Sequence, residues 1–134
     1  MSCPAPAIVG DQETIGGITY FVVDRPALIS VVETGSFTDG VSTFTPADLS
    51  CVCTTQITNM ESIFYNRTGG DTFDTDISNW DVSSVTTVQN MFNGAALFKS
   101  DISRWDVSSV TDMQNMFYQA ASFNSDISNW KVSH

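Results

Sequence analysis

Asp76, Asp101 and Asp126 recur at intervals of 25 residues, and Asp81 and Asp106 recur at the same interval with Lys131 at the next step. Stacked at the spacing of neighbouring strands, about 4.8 Å, such carboxylates repel one another and need backbone donors, counter-residues or a cation. Calcium suits the column Asp76, Asp101 and Asp126 because it takes several oxygen ligands in loose geometry. The local alternative is that each Asp accepts from a nearby amide in an Asx-type turn. Paired carboxylates also serve glycoside hydrolysis, but these recur with a fixed period, as scaffold residues do. No catalytic residue is assigned, and neither an enzyme nor a cofactor is expected.

The remaining reactive side chains are few. His134 is the sole histidine, and Cys51 and Cys53 are not in a CxxC pattern, which argues against zinc. Two residues apart on a strand, those cysteines point the same way at a spacing too wide for an easy mutual bond. Cys3 lies in the Pro-rich start and could staple it to the first repeat, closing a loop worth about 4 kcal/mol in the chain-entropy account. Otherwise all three are buried thiols. Asn66-Arg67-Thr68 is an N-glycosylation sequon, of consequence only in a glycosylating host.

The period itself sets the architecture. Asp76-Ile77-Ser78-Asn79-Trp80 returns as Asp101-Ile102-Ser103-Arg104-Trp105 and as Asp126-Ile127-Ser128-Asn129-Trp130. A fixed period in this range predicts an α/β repeat solenoid, in which each unit buries its apolar face only against its neighbours. Asp48-Leu49-Ser50 aligns with Asp76-Ile77-Ser78, so the repeats start near residue 48. The first is longer because Arg67-Thr68-Gly69-Gly70-Asp71-Thr72 is inserted. Residues 48–134 therefore hold about three units of 25–28 residues, the last incomplete.

Within a unit, Asp-Ile-Ser-X-Trp-Asp-Val reads as a strand with Trp80 and Val82 inward and Asn79 and Asp81 outward. Thr58-Asn59-Met60-Glu61, Thr86-Thr87-Val88-Gln89 and Thr111-Asp112-Met113-Gln114 read as capping boxes opening short helices. Met60, Ile63 and Phe64, with their counterparts, follow at helical core spacing. Strand, helix and return in one direction give a leucine-rich-repeat-like right-handed coil, with a parallel sheet on one face and short helices on the other. Residues 1–47 do not repeat. Thr14 to Val23 reads as a hairpin around Gly16-Gly17, and Asp24 caps a short helix ended by Gly35. This segment is expected to cap the first unit.

The run from Phe98 to Phe117, FKSDISRWDVSSVTDMQNMF, resembles the BspA-like leucine-rich-repeat surface proteins. It is most similar to their branch with a DISxWDVSxVTxMxxMF repeat, known from mycoplasma lipoproteins as a domain of unknown function. The likeness covers about 48–134. Cys3-Pro4, Gly17-Ile18-Thr19-Tyr20 and Cys53-Thr54-Thr55-Gln56 are similar to the segment preceding such repeats in secreted members. The resemblance implies a secreted or cell-surface, non-enzymatic scaffold for adhesion or protein binding. With the cap reading, it also implies a Cys3–Cys53 disulfide, Cys51 being the alternative partner.

The formal charge of −10, with Arg25, Arg67, Lys99, Arg104 and Lys131 as the cations, argues against nucleic acid and anionic membrane as partners. No segment approaches the roughly 18 apolar residues of a membrane span, so membrane insertion is not expected. Residues 1–10 lack the charged start and apolar run of a signal peptide. Two functions remain. One is recognition of a protein or surface glycan by the outward residues Asn79, Asp81, Arg104, Asp106, Asn129 and Lys131. The other is end-to-end assembly through Ile127 and Trp130, which no later unit in the sequence covers.

Overall fold

The computed structural model describes residues 12–15, 18–34, 37–38, 43–44, 52–55, 57–66 and 76–132. Expectations that fall on Cys3, Gly35, Cys51 and the insertion at 67–72 lie outside the described residues.

Strands β1 (Gln12–Ile15) and β2 (Ile18–Val22) pair antiparallel, with Ile15 opposite Ile18 and Gln12 opposite Phe21. Helix α1 spans Arg25–Thr34. It starts there because Asp24 Oδ1 accepts from the Ala27 amide at 2.9 Å and Pro26 has no amide N–H to leave unpaired in the first turn. Ala27, Leu28, Val31 and Val32 form its buried face. A second hairpin, β3 (Phe37–Thr38) with β4 (Thr43–Phe44), was not expected from the sequence. Strand β5 (Val52–Cys53) joins β2 in parallel, giving the order β1-β2-β5. The non-repeating segment thus shares a sheet with the first repeat. Val23 donates to the Cys53 carbonyl at 3.1 Å, and Arg25 Nη2 donates to the Glu61 carbonyl at 2.8 Å.

Beyond β5, the segments 57–66, 85–94 and 110–119 lie side by side. The amides of Met60, Ser62, Phe64 and Asn66 donate to the carbonyls of Thr87, Gln89, Met91 and Asn93 at 2.7–3.0 Å. Those of Val88, Asn90, Phe92 and Gly94 donate to Asp112, Gln114, Met116 and Tyr118 at 2.8–2.9 Å. Asn59, Thr87 and Asp112 form successive parallel bridges. Alternate amides turn back within the segment: Met91 donates to Val88 and Asn93 to Asn90, as Met116 does to Met113 and Tyr118 to Asn115. With the Gln89 amide donating to Thr87 Oγ1, the two sets satisfy the backbone donors from Val88 to Gly94.

Two elements differ from their sequence expectation. The short helices after the Thr residues are instead tight turns punctuated by left-handed residues. Ser62 (φ 59°) and Asn66 (54°) correspond to Asn90 (55°) and Gly94 (75°), then to Asn115 (55°) and Gln119 (59°). A left-handed residue at every fourth position breaks i→i+4 bonding and turns alternate amides to the neighbouring unit. Asn and Gly tolerate this conformation best. The cap residues also shift by one. Asn59 Oδ1, Thr87 Oγ1 and Asp112 Oδ1 accept from the amides of Glu61, Gln89 and Gln114. Thr86 and Thr111 donate their hydroxyls across units, to the carbonyls of Thr58 and Thr86.

The expected Asp-Ile-Ser-X-Trp strands are turns as well. Trp80, Trp105 and Trp130 donate their amides to Ile77, Ile102 and Ile127 at 3.0–3.1 Å. Ile77 and Trp80 are both buried three residues apart, which the period of two in a strand cannot produce. Around the Trp the inward and outward phase still alternates: Trp80 and Val82 are buried, Asn79 and Asp81 exposed.

The core is one cluster running from α1 through the repeats. Aromatic columns thread it: Phe64 on Phe92 at 5.3 Å, Phe92 on Phe117 at 5.8 Å, and Trp80 on Trp105 at 6.4 Å. Met113, Phe117, Phe123, Ile127 and Trp130 are only partly buried.

Candidate interaction surface

The outward residues singled out in the sequence flank the tryptophan column. Asn79, Arg104 and Asn129 precede successive Trp residues, while Asp81, Asp106 and Lys131 follow them, and all six are exposed. The two aspartates are fixed by local hydrogen bonds. Asp81 Oδ1 accepts from the Ser83 amide at 2.9 Å and hydroxyl at 2.6 Å, and Asp106 does the same with Ser108 at 3.1 and 2.6 Å.

The column Asp76, Asp101 and Asp126 is built alike. Each Oδ1 accepts from the amide two residues on, Ser78, Ser103 or Ser128, at 2.9–3.0 Å. Ser125 Oγ also donates to Asp101 at 3.2 Å while accepting the Ile102 amide at 3.1 Å. The donors that calcium was invoked to replace are therefore supplied by the chain. Among the described residues, no three His, Cys, Asp or Glu side chains converge on a point that could hold a metal ion.

These donors hold three carboxyls below their ordinary value of 3.8. For Asp101 the Ser103 amide contributes most, then the hydroxyls of Ser103 and Ser125, with Arg104 adding attraction. For Asp106 the Ser108 hydroxyl leads, and for Asp126 the Ser128 amide does. Each hydrogen bond favours the ionised form. The surface presents carboxylates held by Ser amides and hydroxyls, beside exposed amide and cationic side chains.

Cys53 is held in a disulfide whose partner lies outside the described residues. Asn66 is exposed in its left-handed conformation, with its amide on the Asn93 carbonyl at 2.7 Å; Arg67 and Thr68 of the sequon lie outside the described residues. Ile127 and Trp130 line a groove of about 570 Å³ together with Met113, Met116, Phe117 and Val132.

Several cross-unit contacts were missed from the sequence. Trp105 Nε1 donates to the Ile77 carbonyl and Trp130 Nε1 to that of Ile102, both at 3.1 Å. Ser100 Oγ accepts the Ile77 amide, and Gln89 Nε2 donates to Gln114 Oε1 at 3.0 Å rather than reaching back to a helix start. The signal was available. A Gln repeated at 25 residues in a stacked chain has its own counterpart as a neighbour, as Gln89 has Gln114.

The family model described as "Mycoplasma protein of unknown function, DUF285" matches residues 34–134. No curated protein and no solved structure matches the chain. Among the described residues, no helix is long and apolar enough to cross a membrane.

Proposed function

We propose that this chain, which belongs to the DUF285 family of mycoplasma proteins of unknown function, is a non-enzymatic scaffold, secreted or held at the cell surface, that recognises a protein or a surface glycan. Its repeats are read as a leucine-rich-repeat-like solenoid. The observation that carries this reading is the exposed double column Asn79, Arg104, Asn129 and Asp81, Asp106, Lys131, whose Asp81 and Asp106 are locked by Ser83 and Ser108. Polar groups already fixed in place lose little further entropy on binding. The net charge of −10 favours cationic or neutral partners over nucleic acid. The test is a glycan and protein binding screen of the chain beside an Asp81→Lys/Asp106→Lys variant, both shown to be folded. Binders lost in the variant support the reading. Binders retained at full strength would place recognition elsewhere.

A second reading, a structural subunit that assembles end to end, is favoured by the apolar groove at Ile127 and Trp130. Head-to-tail contacts of this kind are heterologous and need not close. Mass in solution separates the readings: a recognition module stays small, whereas an assembling subunit grows with concentration.

A further inference from the structure

Asn93-Gly94 is the one Asn-Gly pair in the sequence, and it lies on the middle of the three stacked segments. In an open chain the Gly94 nitrogen attacks the side-chain carbonyl carbon of Asn93. The N–Cγ bond forms, the Cγ–Nδ2 bond breaks, and ammonia leaves carrying the proton of the Gly94 amide. Water then opens the succinimide to aspartate or isoaspartate. Glycine favours the attack because it has no Cβ to shield its nitrogen or restrict its backbone. Asn124-Ser125 can react in the same way, with the Ser125 side chain as a hindrance. On local sequence alone, Asn93 is therefore the faster of the two.

The fold reverses that order. Gly94 is buried, and its amide donates to the Tyr118 carbonyl at 2.8 Å, so the nucleophile is tied to the neighbouring segment. The leaving group is tied as well, since Asn93 Nδ2 donates to Asn90 Oδ1 at 3.0 Å. The peptide between the two residues is gripped from the other side, where the Asn93 carbonyl accepts the Asn66 amide at 2.7 Å. Asn124, by contrast, is exposed, and among the described residues the Ser125 amide has no acceptor. The Ser100 amide, one unit earlier, is in the same condition, so this is a property of the position within the unit.

We infer that Asn93 is a latent deamidation site, silenced by the stacking of segment 110–119 on 85–94 and released when the two part. Local opening costs less than global unfolding, and chemistry at the freed amide follows the open population. The product does not restack in register. Isoaspartate routes the main chain through the side-chain carbon, which lengthens it between residues 93 and 94. The former Asn93 carbonyl becomes a free carboxylate, no longer placed to receive the Asn66 amide, and the Gly94 amide is displaced from Tyr118. Plain aspartate loses the donor to Asn90 Oδ1 and sets a carboxylate against that oxygen. A transient opening between two units is thereby converted into a permanent covalent mark.

The test ages the intact chain at mildly alkaline pH, natively and in denaturing urea, and follows deamidation of Asn93 and Asn124 by peptide mass mapping. In urea Asn93 is expected to react faster than Asn124. In the native chain the order should invert, with Asn93 more than about tenfold slower than in urea. A Thr111→Val variant removes the Thr111 hydroxyl from the Thr86 carbonyl, an exposed contact between the two segments. It should speed Asn93 about fivefold, the equivalent of one hydrogen bond, and leave Asn124 unchanged. Asn93 leading in the native chain would overturn the inference. So would an Asn93 that stays slow in urea, since its protection would then belong to the local sequence. Equal acceleration of both sites in Thr111→Val, or of neither, would also overturn it, because opening between these two segments would not be the controlling step.

Discussion

The indole N–H of Trp105 and the backbone N–H of Trp80 meet on one atom, the carbonyl oxygen of Ile77, each at 3.1 Å. That oxygen closes the turn of its own unit and anchors the next unit to it. The Trp105 ring lies 6.4 Å from Trp80 and nearly parallel to it, so stacking and hydrogen bonding act along the same column.

Removing the ring should be costly. Trp80→Ala and Trp105→Ala are each expected to destabilise by about 3–5 kcal/mol, the usual cost of emptying a large aromatic site. Trp105→Phe should keep the stack and lose about 1 kcal/mol for the indole bond. Asn79→Ala, on the exposed side, should change little. Urea unfolding measures all four, and a costly Asn79→Ala would mean that the outward phase is misassigned.

Gly94 sits at φ 75°, and a Cβ built there runs into the Asn66 side chain. Gly94→Ala is expected to lose about 1–2 kcal/mol from the left-handed backbone, with a further loss from the contact. Asn66→Gly removes the obstructing side chain while tolerating its own φ of 54°. The double variant should therefore be more stable than the sum of the singles predicts. Strict additivity would show that Asn66 gives way without cost.

Acid should weaken the fold through the Asx turns. The carboxyls of Asp101, Asp106 and Asp126 lie below 3.8 in the folded chain, so the folded form binds fewer protons than the unfolded form. Their contribution is complete above the ordinary carboxylate value and is lost as pH falls through the depressed folded values. Melting temperature should decline below about pH 4. A triple Asp→Asn variant, whose amide oxygens still accept from the Ser amides, should decline less steeply. An identical slope in the two proteins would mean that other carboxylates control acid stability.

Peptide mapping without reductant should recover Cys3 joined to Cys53, leaving Cys51 as the free thiol. Recovery of Cys51 joined to Cys53 would redirect the pairing. The bond itself bears on where the protein works, since disulfides persist in oxidising compartments.

The 25-residue period, the inward Trp and Val, the outward Asn and Asp, the Asp24 cap of α1 and the β1–β2 hairpin were all legible in the sequence. Each depends on residue type and short-range spacing. Whether Ile77-to-Trp80 is a strand or a turn was not legible. Spacings of two and three both occur in that run, and burial of Ile77 with Trp80 selects the turn. The segments read as helices followed the same logic. Met60, Ile63 and Phe64 keep their spacing in either form, but carbonyls on the adjacent unit capture alternate amides, and Asn90 and Asn115 adopt the left-handed φ that this requires. The sequence by itself determined which residues face the core and how often they return. Only the tertiary structure decided which donor meets which acceptor, because those partners lie 23–28 residues apart and become neighbours only when the units stack.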